Sequence, residues 1–191
     1  QFDLETEKYY ILPVTSPTTL AKGKTGVWIA EGGKLFLYDK NTRLLKPMYA
    51  DLQLPDSGPT MVEGSDGSLW IALKEGGVMR VDTCGSISLH LPGIKVMKLI
   101  KSNDQNIWIG SQDQGVFCLG MDSVQFPCSN YIDEIDPGIL VLATQKDGLY
   151  VYNLNSGQKK HISAAELDVP ADKLLSITSF CRDSEYNLWM T

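Results

Sequence analysis

A repeat anchored on tryptophan constrains this chain more than any other feature. The segment TGVWIAEGGKLFLYD starts at Thr25, GSLWIALKEGGVMRVD at Gly67 and QNIWIGSQDQGVFCLG at Gln105. A fourth copy without Trp, GILVLATQKDGLYVYN, starts at Gly138, and a fifth begins as YNLWMT at Tyr186. Each full copy joins a short apolar run to a polar loop with glycine, then to a second apolar run and turn residues. Two β-strands and their hairpin read this way. Their recurrence predicts an array or a ring rather than a single sheet.

The spacing narrows the choice. Trp28, Trp70 and Trp108 lie 42 and 38 residues apart, Val141 takes the Trp place 33 residues on, and Trp189 follows after 48. From that place to the glycine opening the next strand is 7 residues in the second, third and fourth copies and 5 in the first. A fixed frame with variable loops and a period of roughly 40 residues predicts an all-β fold, a β-propeller of four-stranded antiparallel blades. We label the strands of a blade A to D. Lys95–Lys101 reads as strand A ahead of Trp108, and Val124–Phe126 as strand D after it. Asp66-Gly67, Asp104-Gln105 and Ser184-Glu185 mark the A–B turns, where Asp and Gly close turns or accept positive φ. Strand B is apolar without alternation (Leu69–Ala72, Ile107–Ile109), as expected of a strand covered on both faces.

Five B-type strands predict an incomplete propeller. Residues 17–191 make about four blades and the first half of a fifth. Residues 1–16, through Tyr9–Val14, supply an outer strand of a preceding blade. A closed four-blade ring is the rival arrangement. Trp28, Trp70, Trp108 and Trp189 are assigned to the core between blades. Truncating Trp70 is expected to cost more than truncating Trp28, which lies in the first blade. An unclosed edge near Trp189 predicts self-association.

The copies resemble the two-component regulator propeller repeat. The resemblance is carried by Asp66-Gly-Ser-Leu-Trp-Ile-Ala72 with Gly76-Gly-Val78 and Val81-Asp82, and by Asn106-Ile-Trp-Ile-Gly-Ser111 with Gly115-Val116. It extends from about Thr25 to Thr191. It implies the periplasmic sensor region of a Bacteroides-type hybrid two-component system, with a histidine kinase elsewhere in the parent protein and an oligosaccharide released from a glycan as signal.

Composition adds exclusions. The 191 residues carry 17 Lys and Arg against 23 Asp and Glu, a net charge of −6. An acidic chain is a poor partner for nucleic acid, whose binding needs a basic face. No apolar run is long enough to span a membrane, and the first residues do not read as a signal peptide. Cys84, Cys118, Cys128 and Cys181 form no C-x-x-C pair, and His90 and His161 are remote in sequence, so no metal or other cofactor is expected. Cys118 is expected to face Gln125 rather than Cys128 across the C–D hairpin, leaving buried free thiols. There is no G-x-S-x-G elbow and no Walker-type phosphate loop, and no catalytic residue is assigned. His90 and His161 read as rim residues of strand D.

Three function classes remain: a non-enzymatic sensor propeller, a propeller lyase, and a structural propeller that docks a protein. The sensor class leads, because a lyase needs a His or acid on the central face. If a ligand binds, the variable B–C loops are the expected face, since binding residues gather on loops held by a rigid scaffold. The candidates are Glu31, Lys74, Glu75, Gln112, Asp113, Gln114, Gln145, Lys146 and Asp147. Glu31, Glu75 and Asp113 also read simply as solvated loop charge.

Overall fold

Strand B organises every sheet, because its successive side chains point to opposite faces and nearly all are apolar. The computed structural model describes residues 2–3, 8–9, 11–55, 57–119, 126, 129–144, 148–163, 165–168, 170, 177 and 179–190. Blade 1 is Thr19–Lys22 (β3), Gly26–Glu31 (β4), Lys34–Asp39 (β5) and Leu44–Met48 (β6). Blade 2 is Ser57–Glu63 (β7), Leu69–Leu73 (β8), Val78–Val81 (β9) and Ile87–His90 (β10). Blade 3 holds Val96–Lys101 (β11), Ile107–Ser111 (β12) and Gly115–Cys118 (β13). Its expected strand D falls at 124–126, where only Phe126 lies among the described residues. Blade 4 is Ser129–Asp136 (β14), Ile139–Thr144 (β15), Leu149–Asn153 (β16) and Lys159–Ile162 (β17). Phe180–Arg182 (β18) and Leu188–Met190 (β19) pair as the A and B strands of a fifth sheet. Every ladder is an antiparallel meander in sequence order, and no helix occurs among the described residues.

The sheets stack in succession. The A strands β3, β7, β11, β14 and β18 contact one another in that order, as they do along the axis of a propeller. Four apolar clusters fill the spaces between successive sheets. Trp28, Ala30 and Leu35 meet Leu69, Ile71 and Val81. Ala72 and Val78 meet Leu99, Ile107 and Ile109. Trp108, Val116 and Cys118 meet Ile132, Leu140 and Leu142. Val141, Ala143 and Leu149 meet Ile177 and Phe180. The B strands of blades 2, 3 and 4 therefore each serve two clusters. Leu69 and Ile71 face back while Ala72 faces forward, and Leu140 and Leu142 face back while Val141 and Ala143 face forward. This is why the strand reads as a continuous apolar run.

The A–B turn repeats one backbone form. Gly67, Gln105 and Tyr186, each three residues before a Trp, have φ of 81°, 71° and 69°. Gly138 holds the corresponding place before Val141 at 79°. Glycine takes this left-handed form without strain. Gln105 and Tyr186 hold it because Asx bonds close the turn: Asp104 accepts the Asn106 amide (3.1 Å), and Asp183 accepts those of Glu185 and Asn187 (2.9 Å each).

Several expectations need correction. Of the stretch Tyr9–Val14 read as an outer strand, Tyr10 lies outside the described residues. Lys8–Tyr9 (β2) pairs with Phe2–Asp3 (β1), and 11–14 joins no ladder, with Pro13 withholding an amide donor. The tryptophans are not equivalent. Trp108 and Trp28 are buried at 1% and 6% exposure, whereas Trp189 is 61% exposed, because no described element lies over its two-stranded sheet. Trp70 is half-buried: it packs on the cluster of Ala72, Val78 and Ile107, and its ring is also flanked by His90 (centroids 4.9 Å apart) and by the Arg80 guanidinium. The thiols also differ. Cys118 is buried, and burial with nearby Asp104 pushes its pKa up to about 11, while Cys84 and Cys181 are exposed. Cys128 and Gln125 lie outside the described residues.

The back face of blade 1, turned away from blade 2, is the least covered. Leu20 and Val27 occupy the register places of Met61 and Leu69 in blade 2. They are 57% and 37% exposed, against 4% and 1% for their counterparts.

These burials set the order of side-chain truncation costs. Trp108→Ala is expected to destabilise by about 3–5 kcal/mol, the usual figure for a large core side chain. Trp28→Ala should follow, Trp70→Ala should cost less than either, and Trp189→Ala should cost little. Urea titration followed by circular dichroism checks the order. A Trp70 loss equal to that of Trp108 would contradict it.

Candidate functional site

A polar concavity lies at the A–B turns of blades 1 to 3. It is a groove of about 700 Å³ lined by Lys22, Lys24, Glu63, Ser65, Asp66 and Lys101, with Gln105 and the turn glycines. The opposite face, where the B–C loops emerge, is the one expected from sequence. The groove's position follows from register. Lys22, Glu63, Lys101, Glu134 and Arg182 each pair with the residue just before the Trp place of their own blade, namely Val27, Leu69, Ile107, Leu140 and Leu188. They are the same strand-A residue in five successive blades, and their charges alternate in sign.

The acidic members bind back to the preceding blade. Glu63 accepts the Trp28 Nε1–H (2.5 Å) and the Lys24 amide (3.3 Å). Glu134 accepts the Asn103 amide (2.7 Å) and, within its own blade, that of Gly138 (2.7 Å). These are charge-assisted hydrogen bonds, stronger than neutral ones. The last basic member, Arg182, pairs with Asp136 of blade 4 and lies over the Tyr186 ring. The Lys22 and Lys101 ammonium groups make no hydrogen bond or ion pair among the described residues and line the groove. Glycine is required beside this junction: a Cβ at Gly23 would lie 2.6 Å from Glu63 Oε2 and 2.8 Å from the Trp28 ring.

The other carboxylates of this face are also engaged. Asp66 accepts the hydroxyl (2.6 Å) and amide (2.9 Å) of Ser68 and pairs with Arg80 at 2.8 Å. The Ser68 bonds come first in lowering its pKa to about 2, with Arg80 adding to them. Asp104 is held below its usual value by Ser102 and Asn106 against the opposing effect of burial.

Among the described residues, the sequence-predicted ones line no single pocket. Glu31 accepts the amides of Thr15 and Ser16 (2.6 Å each), which hold its pKa down, and so ties the first residues to blade 1. It borders a smaller cleft of about 320 Å³ with Gln53 and Leu54. Lys74, Glu75, Asp113 and Gln114 are exposed. Gln112 donates its amide to the Lys95 carbonyl (3.1 Å), and its Oε1 is buried with no partner among the described residues. Gln145, Lys146 and Asp147 lie outside the described residues. His90 sits against Trp70, and His161 stacks on Tyr150 at 4.6 Å. Among the described residues no group of three His, Cys, Asp or Glu could hold a metal ion. The strand-A charge series was readable in the sequence as the residue seven places before Trp70, Trp108, Val141 and Trp189. Attention to variable loops passed over it, because strand ends vary less visibly.

No family model and no curated protein matches the sequence. Solved structures do. The extracellular domain of BT4673 from B. thetaiotaomicron, described as a hybrid two-component system, superposes with a TM-score of 0.64 at 18% identity, over 96% of this chain and 27% of that one. The extracellular domain of BT3049 from the same organism, likewise described, gives 0.59 at 15% identity over 94% and 28%. A catalytically inactive virginiamycin B lyase from Staphylococcus aureus with quinupristin gives 0.63 at 15% identity over 91% and 62%. The chain thus spans about a quarter of the length of the extracellular domains it matches. At these identities the likeness is one of fold, and the fold is a β-propeller. No described helix is long and apolar enough to cross a membrane.

The geometry generates a pH prediction. The folded pKa of Asp66 is depressed, so its stabilising contribution is complete above the unfolded value of about 3.9 and is lost as pH falls toward 2. Asp66→Asn is therefore expected to lower stability at pH 7 and to flatten the acid limb between about pH 4 and 2. Thermal melts across that range check this, and an unchanged acid limb would contradict it.

Proposed function

We propose that this chain is a non-enzymatic, extracytoplasmic sensor segment of a hybrid two-component receptor, facing the periplasm, with a glycan-derived oligosaccharide as its ligand. The observation that carries the reading is the likeness of fold, over nearly the whole chain, to the extracellular domains of two proteins described as such systems. The polar groove at the A–B turns supports it, because hydroxyl-rich ligands need converging donors and acceptors on a rigid frame. Lysines, backbone amides and Gln105 supply them there. The sequence repeat that resembles regulator propellers agrees with this reading.

A lyase-type reading draws on the likeness to virginiamycin B lyase. It requires a base in the groove. Glu63 is the groove residue best placed for that, but its carboxylate is engaged by Trp28 and Lys24. The two histidines lie against ring faces on outer parts of their blades. These features favour the sensor reading.

Self-association belongs to the same proposal. Leu20 and Val27 at one end of the stack and Trp189 at the other expose apolar surface, and such strand faces seek partners. Light scattering is expected to show dimers or larger species that grow with concentration. A monomer at every concentration would contradict this.

The ligand reading is tested by thermal shift against a panel of glycan-derived oligosaccharides. A ligand at a hundred times its Kd stabilises by about 2.7 kcal/mol, which moves the Tm of a chain this size by several degrees. Lys22→Ala with Lys24→Ala should abolish the shift while leaving the unliganded Tm nearly unchanged. The triple alanine variant at Gln112, Asp113 and Gln114 should keep it. The reverse pattern would move the site to the B–C loops. No shift with any saccharide would overturn the sensor reading in its present form.

A further inference from the structure

The junction between blades 2 and 3 differs from its neighbours in a way that specifies a ligand group. At the junction of blades 1 and 2, a donor pair from the earlier blade, the Trp28 Nε1–H and the Lys24 amide, meets the Glu63 carboxylate of the next. At the junction of blades 3 and 4 the Asn103 amide meets Glu134. At the junction of blades 4 and 5 the polarity is inverted, but the pair is complete: Asp136 meets Arg182.

At the junction of blades 2 and 3 the earlier blade again presents donors. Ser65 follows Gly64 as Lys24 follows Gly23, and a Cβ at Gly64 would lie 3.3 Å from the Trp70 indole nitrogen. The Ser65 amide and the Trp70 Nε1–H have no acceptor among the described residues. The residue arriving from the next blade is Lys101, itself a donor, on the register place held by Glu63 and Glu134. Ser65 and Lys101 both line the groove, and the Trp70 indole nitrogen lies beside Gly64, which lines it too, at the junction whose neighbours hold a carboxylate.

Ser65, Gly64 and Lys101 line the 700 Å³ groove, beside Lys22 and Lys24. The two carboxylates there are already engaged, Asp66 by Ser68 and Arg80 and Glu63 by Trp28 and Lys24. Three lysines face two carboxylates there, one of them paired with Arg80, so the groove carries a local positive excess on a chain whose net charge is −6. A ligand carboxylate can accept from Ser65 and Trp70 and pair with Lys101, as Glu63 does with its own donors. Such charge-assisted bonds fix orientation and favour the anion over a neutral analogue.

The geometry points to an acidic saccharide, one carrying a uronate carboxylate, as the ligand of this groove, with Ser65, Trp70 and Lys101 as its carboxylate-binding residues. This rests on the sensor reading above and narrows it.

The test uses isothermal titration of the 191-residue chain with a uronate trisaccharide, with the same trisaccharide carboxyl-reduced to its neutral form, and with sodium acetate and sodium phosphate. The uronate is expected to bind at least about 10-fold more tightly than the reduced form, the factor that one charge-assisted bond supplies. Acetate and phosphate should bind far more weakly. Lys101→Glu recreates the junction found at Glu63 and Glu134. It is expected to remove uronate binding and to raise the Tm by about 2–4 °C. Lys101→Gln should weaken uronate binding without raising the Tm. Equal affinity for the charged and reduced trisaccharides would overturn the carboxylate assignment and leave the sensor reading standing. Acetate or phosphate binding as tightly as the uronate would make this a small-anion site and overturn the saccharide. Undiminished uronate binding by Lys101→Glu would remove Lys101 from the site. Binding of neither trisaccharide would overturn this inference and the saccharide-sensing reading together.

Discussion

The structure depends on a B strand that is apolar on both faces. In blades 2 to 4 each such strand buries alternate side chains in two separate clusters, so these blades are held through their neighbours. Ile71 at 0% exposure faces back toward blade 1, and Ala72 at 0% faces forward toward blade 3. A sheet of this kind has no free-standing form, since one face of it would meet water over its whole length. Stacked sheets are the arrangement that covers both. The cost appears at Leu20, Val27 and Trp189, where the stack has no described neighbour and the same register places lie open.

The second layer of organisation is polar and sits at the ends of the A strands. A propeller brings these ends together around its axis, so one residue per blade faces the same small region. Like charges there would repel, and the alternation of Lys22, Glu63, Lys101, Glu134 and Arg182 avoids that. Glu63, Glu134 and Arg182 tie successive blades together. Lys22 and Lys101 instead face the groove. The members that find a partner in the preceding blade fix the stacking, and the others line the groove.

The architecture was legible in the sequence because it rests on periodicity. The Trp frame, the seven-residue step to the next glycine and the unalternating B strand required no knowledge of contacts, and strands A to C of blades 1 to 4 lie where that frame puts them. Burial of individual tryptophans was less legible, since it depends on what the next strands place beside the ring. Trp70 has Arg80 across the ladder, whereas Trp108 has Cys118. The site was harder still. Loop variability pointed to the B–C side, where Glu31 turns out to be tied to Thr15 and Ser16. The strand-A charges form a pattern across five copies and lack meaning in any one. Their roles depend on which donors the preceding blade presents, a relation between residues about 35 positions apart in sequence, as Trp28 and Glu63 are.

The central claim is that the indole N–H of Trp70 has no acceptor while its counterparts in blades 1 and 3 do. Trp28 donates to Glu63, and Trp108 donates to Ser102 Oγ at 3.2 Å. Hydrogen exchange of the four indole N–H signals in ¹⁵N-labelled protein measures this directly. The account predicts slow exchange for Trp28 and Trp108 and fast exchange for Trp70, with the Trp70 signal alone moving and becoming protected when a uronate saccharide is added. Protection of the Trp70 indole equal to that of Trp28 in the unliganded chain would contradict it.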